Sequence, residues 1–384
     1  MVIEPKVRDF ICTTAHPVGC REAVRRQIAY VQQQGPMDGP KKVLIIGAST
    51  GYGLATRIAA AFGCGAATLG LMYERPSSGK RTATAGWYNT QAFEEAAAAQ
   101  GLYARSINGD AFSREIKEQT IEAIRQDLGQ VDLVVYSLAA PKRLAPDGVL
   151  YSSVLKATGT PFENKNLDLR QNQVNRATIP AATQEEIDAT VKVMGGEDWL
   201  DWCVALNEAG VLAPGARTIA YSYIGPELTY PVYHNGTIGA AKQHLAATVG
   251  AIRQQCPGLD ARISVNKALV TQASSAIPVV PLYLSLLYRV MKEDGCHEGC
   301  IQQMDRLFRQ KLADGVQADE NGWIRLDDWE LQPDIQKKVM ELWEQVNSEN
   351  LSQFADLDGY WQDFYQMFGF GFDNIDYTQD VAQW

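Results

Sequence analysis

Histidine, basic charge and long apolar runs are all scarce in this chain of 384 residues, and each shortage argues against a class of function. There are 4 histidines, and the segment CHEGC at 296–300 has no second Cys/His pair nearby, so we expect no metal site. The 35 basic residues face 45 acidic ones, and the formal charge of −10 disfavours nucleic acid and anionic membranes as partners. The longest apolar run, 276–291, contains two prolines and one arginine and is too short to cross a bilayer. It predicts a buried helix.

Cysteine usage and the N-terminal residues both point to the cell interior. The 7 cysteines are an odd number and lie far apart, which fits reduced thiols better than a disulfide framework. Charges at Glu4, Lys6 and Arg8 fall where a signal peptide needs an uninterrupted apolar stretch. We therefore expect no export and a cytoplasmic protein. Since 46% of the residues are hydrophobic and 21% charged, the chain can bury a large core.

Short apolar runs alternate with segments of helical period along most of the chain. The runs occupy 41–46, 66–73, 102–107, 131–138, 218–224 and 261–270. The helical segments between them occupy 54–62, 90–100, 113–128, 199–209 and 238–253. Strands that alternate with helices predict βαβ units. We expect an α/β protein with a Rossmann-type, doubly wound parallel sheet.

Three regions lie outside this alternation and predict additions to one main domain. Residues 1–40 precede the first strand and should pack on the main domain as an N-terminal extension. Residues 41–294 form the predicted dinucleotide-binding catalytic domain, which a polar insertion rich in Pro, Gly and Asn interrupts at about 140–197. Residues 295–384 predict a helical C-terminal extension. The chain shows no internal repeat.

The turn after the first strand has the pattern expected for a phosphate-binding loop. Its residues are Gly47, Ala48, Ser49, Thr50, Gly51, Tyr52 and Gly53. Glycines permit the tight turn and the close approach of backbone to a pyrophosphate, and the following helix presents N–H groups to the anion. Placed between an apolar strand and a helix, this glycine cluster predicts a dinucleotide site.

The end of the second strand predicts which dinucleotide is bound. Tyr73 and Glu74 stand there, Glu74 being 21 residues after Gly53. A carboxylate at this place accepts hydrogen bonds from the adenosine ribose and repels a 2′-phosphate, which favours NADH over NADPH. NADPH stays an alternative, because basic residues at 75, 80 and 81 could contact its 2′-phosphate. The carboxyl ends of the strands should line the crevice that holds the dinucleotide, so we expect it to include Asp110 and Ala111 after the third strand and Leu138 and Ala139 after the fourth.

Two tyrosine–lysine pairs compete for the catalytic role. In short-chain reductases the lysine binds the nicotinamide ribose and helps the tyrosine donate to an oxyanion. Tyr233 and Lys242 fall between the fifth and sixth strands, beside the expected nicotinamide, and Tyr233 should lie in the turn before a helix. Tyr288 and Lys292 share one helix face after the sixth strand and support a carbonyl reductase instead. A non-catalytic NAD(H) sensor is the third possibility.

Four further short motifs accompany the pair Tyr-x8-Lys. Together with GASTGYG at 47–53, GWYN at 86–89, VMGGEDW at 193–199 and HEGC at 297–300, it resembles the trans-2-enoyl thioester reductases of the FabV type, which include NADH-dependent trans-2-enoyl-CoA reductases. The resemblance runs from Arg8 to about Asn374. It implies reduction of the C2=C3 double bond of enoyl-CoA or enoyl-acyl-carrier-protein, the final reductive step of fatty acid elongation, by a monomer. Gln243 departs from the pattern, because many family members have a basic pair at Lys242 and the next position.

The same resemblance implies roles for individual residues. Tyr233 would be the proton donor, Tyr223 would touch the thioester carbonyl, and Lys242 would bind NADH. Further NADH contacts would come from Thr271, Gln272 and Ala273, in addition to the glycine turn and the strand-end residues given above. Ser274, just before the apolar helix, would contact the substrate.

An acidic carrier protein could dock only on a local basic surface, because the chain itself carries net negative charge. The candidate basic patch consists of Arg289, Lys292, Arg306, Arg309 and Lys311. The alternative is an ordinary solvated face.

Overall fold

Seven parallel strands form the central sheet of the computed structural model, which describes residues 1–8, 11–313 and 315–382. In chain order they are β1 (Lys42–Ile46), β2 (Ala67–Met72), β3 (Ala104–Asn108), β4 (Val131–Tyr136), β5 (Leu212–Ser222), β6 (Asp260–Val265) and β7 (Ile324–Arg325). Their order across the sheet is β7-β6-β5-β4-β1-β2-β3. The direction of winding reverses between β1 and β4, where a ligand crevice opens at the carboxyl ends of the strands.

Helices cover both faces of the sheet. In chain order, the α-helices of the described residues are α1 (Pro17–Gln33), α2 (Gly51–Ile58), α3 (Ala85–Ala99), α4 (Arg114–Ala123), α5 (Gln184–Met194), α6 (Glu197–Glu208), α7 (Tyr230–Tyr233), α8 (Thr237–Gln255), α9 (Gln272–Ser275), α10 (Val280–Glu293), α11 (Cys300–Arg306), α12 (Pro333–Gln345), α13 (Leu351–Phe354) and α14 (Leu357–Gln366). Successive side chains of a strand point to opposite faces. Val43 and Ile45 accordingly pack with α1, α2, α3 and α11, whereas Leu44 and Ile46 pack with α4, α6 and α8. The predicted doubly wound fold is confirmed.

A third apolar cluster surrounds α10, which lies in the run predicted to be a buried helix. Leu282, Leu286 and Tyr288 are fully buried there, packed among residues of α12 and α14. The insertion reaches the same cluster through an antiparallel hairpin, Phe162–Asp168 with Gln173–Ile179. A smaller hairpin in the insertion pairs Lys142–Leu144 with Leu150–Ser152. Among the described residues, no helix is both long and apolar enough to span a membrane.

The C-terminal extension departs from the prediction in one respect. It was expected to be helical, but it contributes β7, which pairs in parallel with β6 and closes the sheet on that side. A strand of two residues is too short to show a periodicity of its own in the sequence. Since the N-terminal, inserted and C-terminal segments share the apolar cluster around α10, we propose that they are extensions of one dinucleotide-binding domain.

Candidate active site

The turn between β1 and α2 needs its glycines for steric reasons. Gly47 has φ +89°, and a Cβ there would lie 2.2 Å from the Ser137 carbonyl oxygen at the end of β4. A Cβ on Gly53 would lie 1.8 Å from the Gly47 carbonyl oxygen. Thr50, the N-cap residue of α2, makes no side-chain capping hydrogen bond, so the first amides of this helix remain available to an anion. The turn therefore fits the pyrophosphate of a dinucleotide.

Glu74 is fixed beside this turn. Its Oε1 accepts a hydrogen bond of 2.6 Å from the Ser49 hydroxyl. The Asn108 side chain holds the Glu74 backbone through two bonds of 2.8 Å, one to the N–H and one to the carbonyl. A Cβ on Gly86 would lie 2.0 Å from the carboxylate, so the glycine of the GWYN motif makes room for it. The carboxylate is thus placed where an adenosine ribose is expected.

The remaining strand ends line the same crevice. After β3, the Asp110 carboxylate accepts the Phe112 N–H, and the Ala111 carbonyl accepts the Trp202 indole N–H at 3.1 Å. After β4, the Ser137 N–H donates to the Ile46 carbonyl at 2.9 Å, which sets the path of Leu138 and Ala139. Trp202 belongs to α6, which begins at Glu197 within the VMGGEDW motif. These contacts tie α6 to the crevice edge.

Tyr233 ends α7, four residues before α8 begins, as predicted. Its ring meets the Tyr223 ring edge-on, with 4.6 Å between centroids and an angle of 88°. Burial, with the nearby Glu330 carboxylate as a second cause, raises the pKa of Tyr233, which keeps its hydroxyl protonated. Within residues 1–8, 11–313 and 315–382, that hydroxyl has no hydrogen-bonding partner.

Other tyrosines of the surrounding elements use their hydroxyls within the protein. They are Tyr52, bonded to the Lys267 carbonyl; Tyr221, to Thr56; Tyr223 and Tyr283, to Glu330; Tyr288, to the Val270 N–H; and Tyr360, to Ser275. Tyr233 differs from this group because its donor remains free for a ligand.

Lys242 lies on the first turns of α8, where its ammonium donates to the Tyr221 carbonyl oxygen at 3.2 Å. Burial lowers the pKa of Lys242 to about 8. In the described part of the chain, this carbonyl is the one acceptor bonded to the ammonium. Two of its N–H groups are therefore available to hydroxyl groups of a bound cofactor.

The loop after β6 closes the crevice and is held by its own side chains. The Thr271 N–H donates to the Ser274 Oγ at 2.8 Å, and the Ser274 N–H donates to the Thr271 Oγ1 at 3.0 Å. The Ser274 hydroxyl, expected to contact substrate, also donates to the Leu269 carbonyl and so is used to shape the loop. The side chains of Gln272 and Ala273 lie outside the described residues.

Tyr288 and Lys292 do not form a second reductase site. Tyr288 is fully buried, and its hydroxyl accepts the Val270 N–H at 3.1 Å, which anchors the loop after β6. The Lys292 ammonium forms an ion pair of 2.5 Å with Asp356. His297, from the HEGC motif, packs edge-on against the Tyr288 ring at 4.3 Å. This pair therefore supports the walls of the site.

The five residues of the predicted basic patch do not form an exposed basic surface in the structure. Each member is paired with a carboxylate: Arg289 with Glu293, Lys292 with Asp356, Arg306 with Glu298 and Asp328, Arg309 with Asp305, and Lys311 with Asp328. Arg306 is only 5% exposed. Paired charges present no net positive field to an acidic partner, so this surface gives no support to carrier docking.

Three family models match consecutive parts of the chain. The "Trans-2-enoyl-CoA reductase catalytic region" matches residues 81–313, and the "NAD(P)H binding domain of trans-2-enoyl-CoA reductase" matches residues 2–79. The "Enoyl reductase FAD binding domain" matches residues 318–381. Together they account for most of the chain.

Individual relatives are similar over the whole chain. An enoyl-[acyl-carrier-protein] reductase [NADH] of Methylobacillus flagellatus is 57% identical over 385 residues, covering 99% of this chain and 97% of the relative. The corresponding Flavobacterium psychrophilum protein is 54% identical over 388 residues, covering 100% and 98%. The crystal structure of Treponema denticola trans-2-enoyl-CoA reductase in complex with NAD superposes with a TM-score of 0.96 at 48% identity, covering 99% and 98%.

The flavin implied by the third family model does not fit residues 318–381. A flavin dinucleotide needs a cradle for its diphosphate, but the segment between β7 and α12 carries the buried carboxyl groups of Asp327 and Glu330 instead. The N-terminus of α14 is capped by the Asp356 carboxylate. Further along, Phe364 and Phe368 pack against each other in the cluster around α10. We derive no step through a flavin.

Proposed function

This chain belongs to the trans-2-enoyl-CoA reductase family, and from that premise we propose that it reduces trans-2-enoyl thioesters to saturated acyl thioesters with NADH. The observation that carries the proposal is the free hydroxyl of Tyr233, held beside Tyr223 in a crevice that fits a dinucleotide. When bound, NADH supplies the hydride that the β-carbon of the enoyl group accepts.

The residues of the chain would then act on the charge that develops on the substrate. Negative charge grows on the thioester carbonyl oxygen as the enolate forms, and the Tyr233 hydroxyl stabilises it by donating a hydrogen bond. Lys242 holds the nicotinamide ribose and keeps a positive charge near the phenol. Tyr223, implied by the resemblance to touch the thioester, packs its ring edge-on against that of Tyr233. As the proton donor, the Tyr233 hydroxyl then supplies the proton that ends on the α-carbon and completes the saturated product, and solvent restores the proton of the phenol.

The test is NADH consumption with crotonyl-CoA, followed by absorbance, with a simple ketone and no acceptor as comparisons. The proposal expects turnover of the enoyl thioester and none of the ketone. Ketone turnover alone would favour a carbonyl reductase, and NADH binding without any turnover would favour a sensor. Crotonyl-CoA and crotonyl-acyl-carrier-protein measured side by side would assign the carrier, because relatives are named for each.

We further propose that the protein acts in the cytoplasm as a monomer, as the sequence and its family resemblance imply. Net charge and cysteine usage support this setting. Light scattering of the purified full chain tests the oligomeric state.

Changing Glu74 to Ser should raise KM for NADH about tenfold or more and narrow the NADH/NADPH ratio of kcat/KM, because the change removes a charged acceptor. Arg75, Lys80 and Arg81 follow Glu74 closely, so a 2′-phosphate should be better tolerated once the carboxylate is gone. Glu95→Ser, on the exposed side of α3, is the matched control and should leave the ratio unchanged. Equal use of both cofactors by the wild type would contradict the role of Glu74.

Changing Tyr288 to Phe should leave kcat within about threefold of wild type while lowering Tm by a few degrees. The hydroxyl accepts one buried amide, and an unpaired buried N–H costs about 1–3 kcal/mol. Steady-state kinetics and thermal melting measure the two effects. A kcat loss larger than that of a Tyr233 variant would revive the carbonyl reductase.

A further inference from the structure

Glu330 is a buried carboxylate that the reaction described so far does not use. It follows β7 by five residues, and none of its surface is exposed. Oε1 accepts the Tyr283 hydroxyl at 2.6 Å and the Tyr223 hydroxyl at 3.0 Å. Oε2 accepts the Ala268 N–H at 2.7 Å. Three elements of the crevice, namely the end of β5, the loop after β6 and α10, therefore meet at one side chain.

The groups that donate hydrogen bonds to Glu330 indicate the role of each of its two carboxyl oxygens. An amide can only donate, so Oε2 acts as an acceptor, and the two tyrosine hydroxyls are turned to Oε1. Burial raises the pKa of Glu330, while the nearby Lys267 ammonium opposes that rise. Lys267 is itself 2% exposed and donates to the Ala268 carbonyl at 2.9 Å, next to the amide that Glu330 holds. A buried negative charge is thus matched by a buried positive one.

This arrangement decides what Tyr223 can do. A phenol hydroxyl can donate one hydrogen bond, and that of Tyr223 donates to Glu330, so it is not offered to the thioester carbonyl. The Tyr223 ring, fixed by the same bond, is the one that meets Tyr233 edge-on. We propose that Glu330 is a positioning residue for the reduction: by accepting the hydrogen bond of the Tyr223 hydroxyl it holds that ring against Tyr233, and Tyr233 alone donates to the developing enolate. This inference rests on the proposed function.

The test combines Glu330→Gln with Tyr223→Phe in a double-mutant cycle on the full chain. We expect Glu330→Gln to lower kcat for crotonyl-CoA about tenfold or more, with KM for NADH within about threefold, because an amide cannot accept from both tyrosines and Ala268. In the Tyr223→Phe background, Glu330→Gln should lower kcat less than about threefold, because the two substitutions remove the same hydrogen bond between Tyr223 and Glu330. Glu298→Gln, which alters another buried carboxylate that bonds Arg306 and neither Tyr223 nor Tyr283, should lower Tm but keep kcat within about threefold.

Two results would overturn the inference: wild-type kcat in Glu330→Gln, or losses in the two single variants that simply multiply in the double variant. If Glu330→Gln does not fold, Glu330→Asp replaces it, since the retracted carboxylate keeps its charge but moves away from Tyr223. Wild-type kcat in a folded Glu330→Asp would equally overturn the inference. The wild type is assayed first, because absence of enoyl thioester turnover there would reject the proposed function rather than the role of Glu330.

Discussion

Replacing Tyr233 with Phe should lower kcat for crotonyl-CoA on the order of 10²-fold or more and leave KM for NADH within about threefold. The phenol is expected to act on charge that exists mainly in the transition state, so its loss should affect kcat more than binding. Phe keeps the ring that packs edge-on against Tyr223, and the variant therefore removes little besides the donor. Steady-state kinetics with varied NADH and varied thioester separates the two parameters.

Tyr230→Phe is the matched control for this experiment. Tyr230 begins the same short helix, and its ring packs against His234 with 4.9 Å between centroids rather than against Tyr223. Its kcat should stay within about threefold of wild type. Wild-type kcat in Tyr233→Phe would remove the main support for the proposed mechanism, because no other role has been given to that hydroxyl.

The parts of the site that follow from local sequence were predictable. The glycine turn is such a case, because the positive φ of Gly47 and the close approach of Gly53 to the Gly47 carbonyl oxygen both arise within one turn. The position of Tyr233 ahead of α8 followed from the order of strands and from the nine-residue offset to Lys242. The spacing also predicted that Glu74 stands at the end of β2. It did not predict the hydrogen bond by which the Ser49 hydroxyl fixes the Glu74 carboxylate.

The parts that depend on distant pairing were not predictable. Glu330 and Tyr223 are hydrogen-bonded although they lie 107 residues apart in the chain. The sequence around Glu330, an acidic residue that follows a strand of two residues, has no pattern that predicts this hydrogen bond. Distant pairing also explains part of the error about the basic patch, although Arg289 with Glu293 and Arg309 with Asp305 pair only four residues apart. Arg306 and Lys311 are neutralised by Asp328 and Lys292 by Asp356, which lie 17 to 64 residues further along the chain. A charge count along one helix does not include partners supplied by another segment.

Lys242→Met should abolish most activity, by on the order of 10²-fold or more in kcat/KM, and at the same time stabilise the cofactor-free protein. Met has a similar length but no charge, so NADH is expected to lose the donor that binds its ribose. The free protein gains stability because burial disfavours the ammonium, as the lowered pKa of about 8 shows. The gain is on the order of 3 kcal/mol near pH 7.

The sign of this effect depends on pH in a defined way. Below pH 8 Lys242 is protonated in the folded and unfolded chains alike, and the folded wild type bears the full cost of the buried charge. Between pH 8 and the ordinary lysine value of 10.5, the folded chain has released the proton while the unfolded chain keeps it, so the cost disappears. The stability advantage of Lys242→Met should therefore be largest at neutral pH and vanish as the pH approaches 10.5.

Thermal melting with and without NADH distinguishes a cofactor lysine from a merely structural one. NADH should raise Tm of the wild type by mass action, and it should raise Tm of Lys242→Met much less, because the variant binds it weakly. The neighbouring Gln243→Met, exposed on the same helix, should behave as wild type in both measurements. If Lys242→Met melts at a lower temperature than wild type without NADH, the ammonium contributes to the fold rather than opposing it. If both proteins gain the same Tm from NADH, Lys242 does not bind the cofactor.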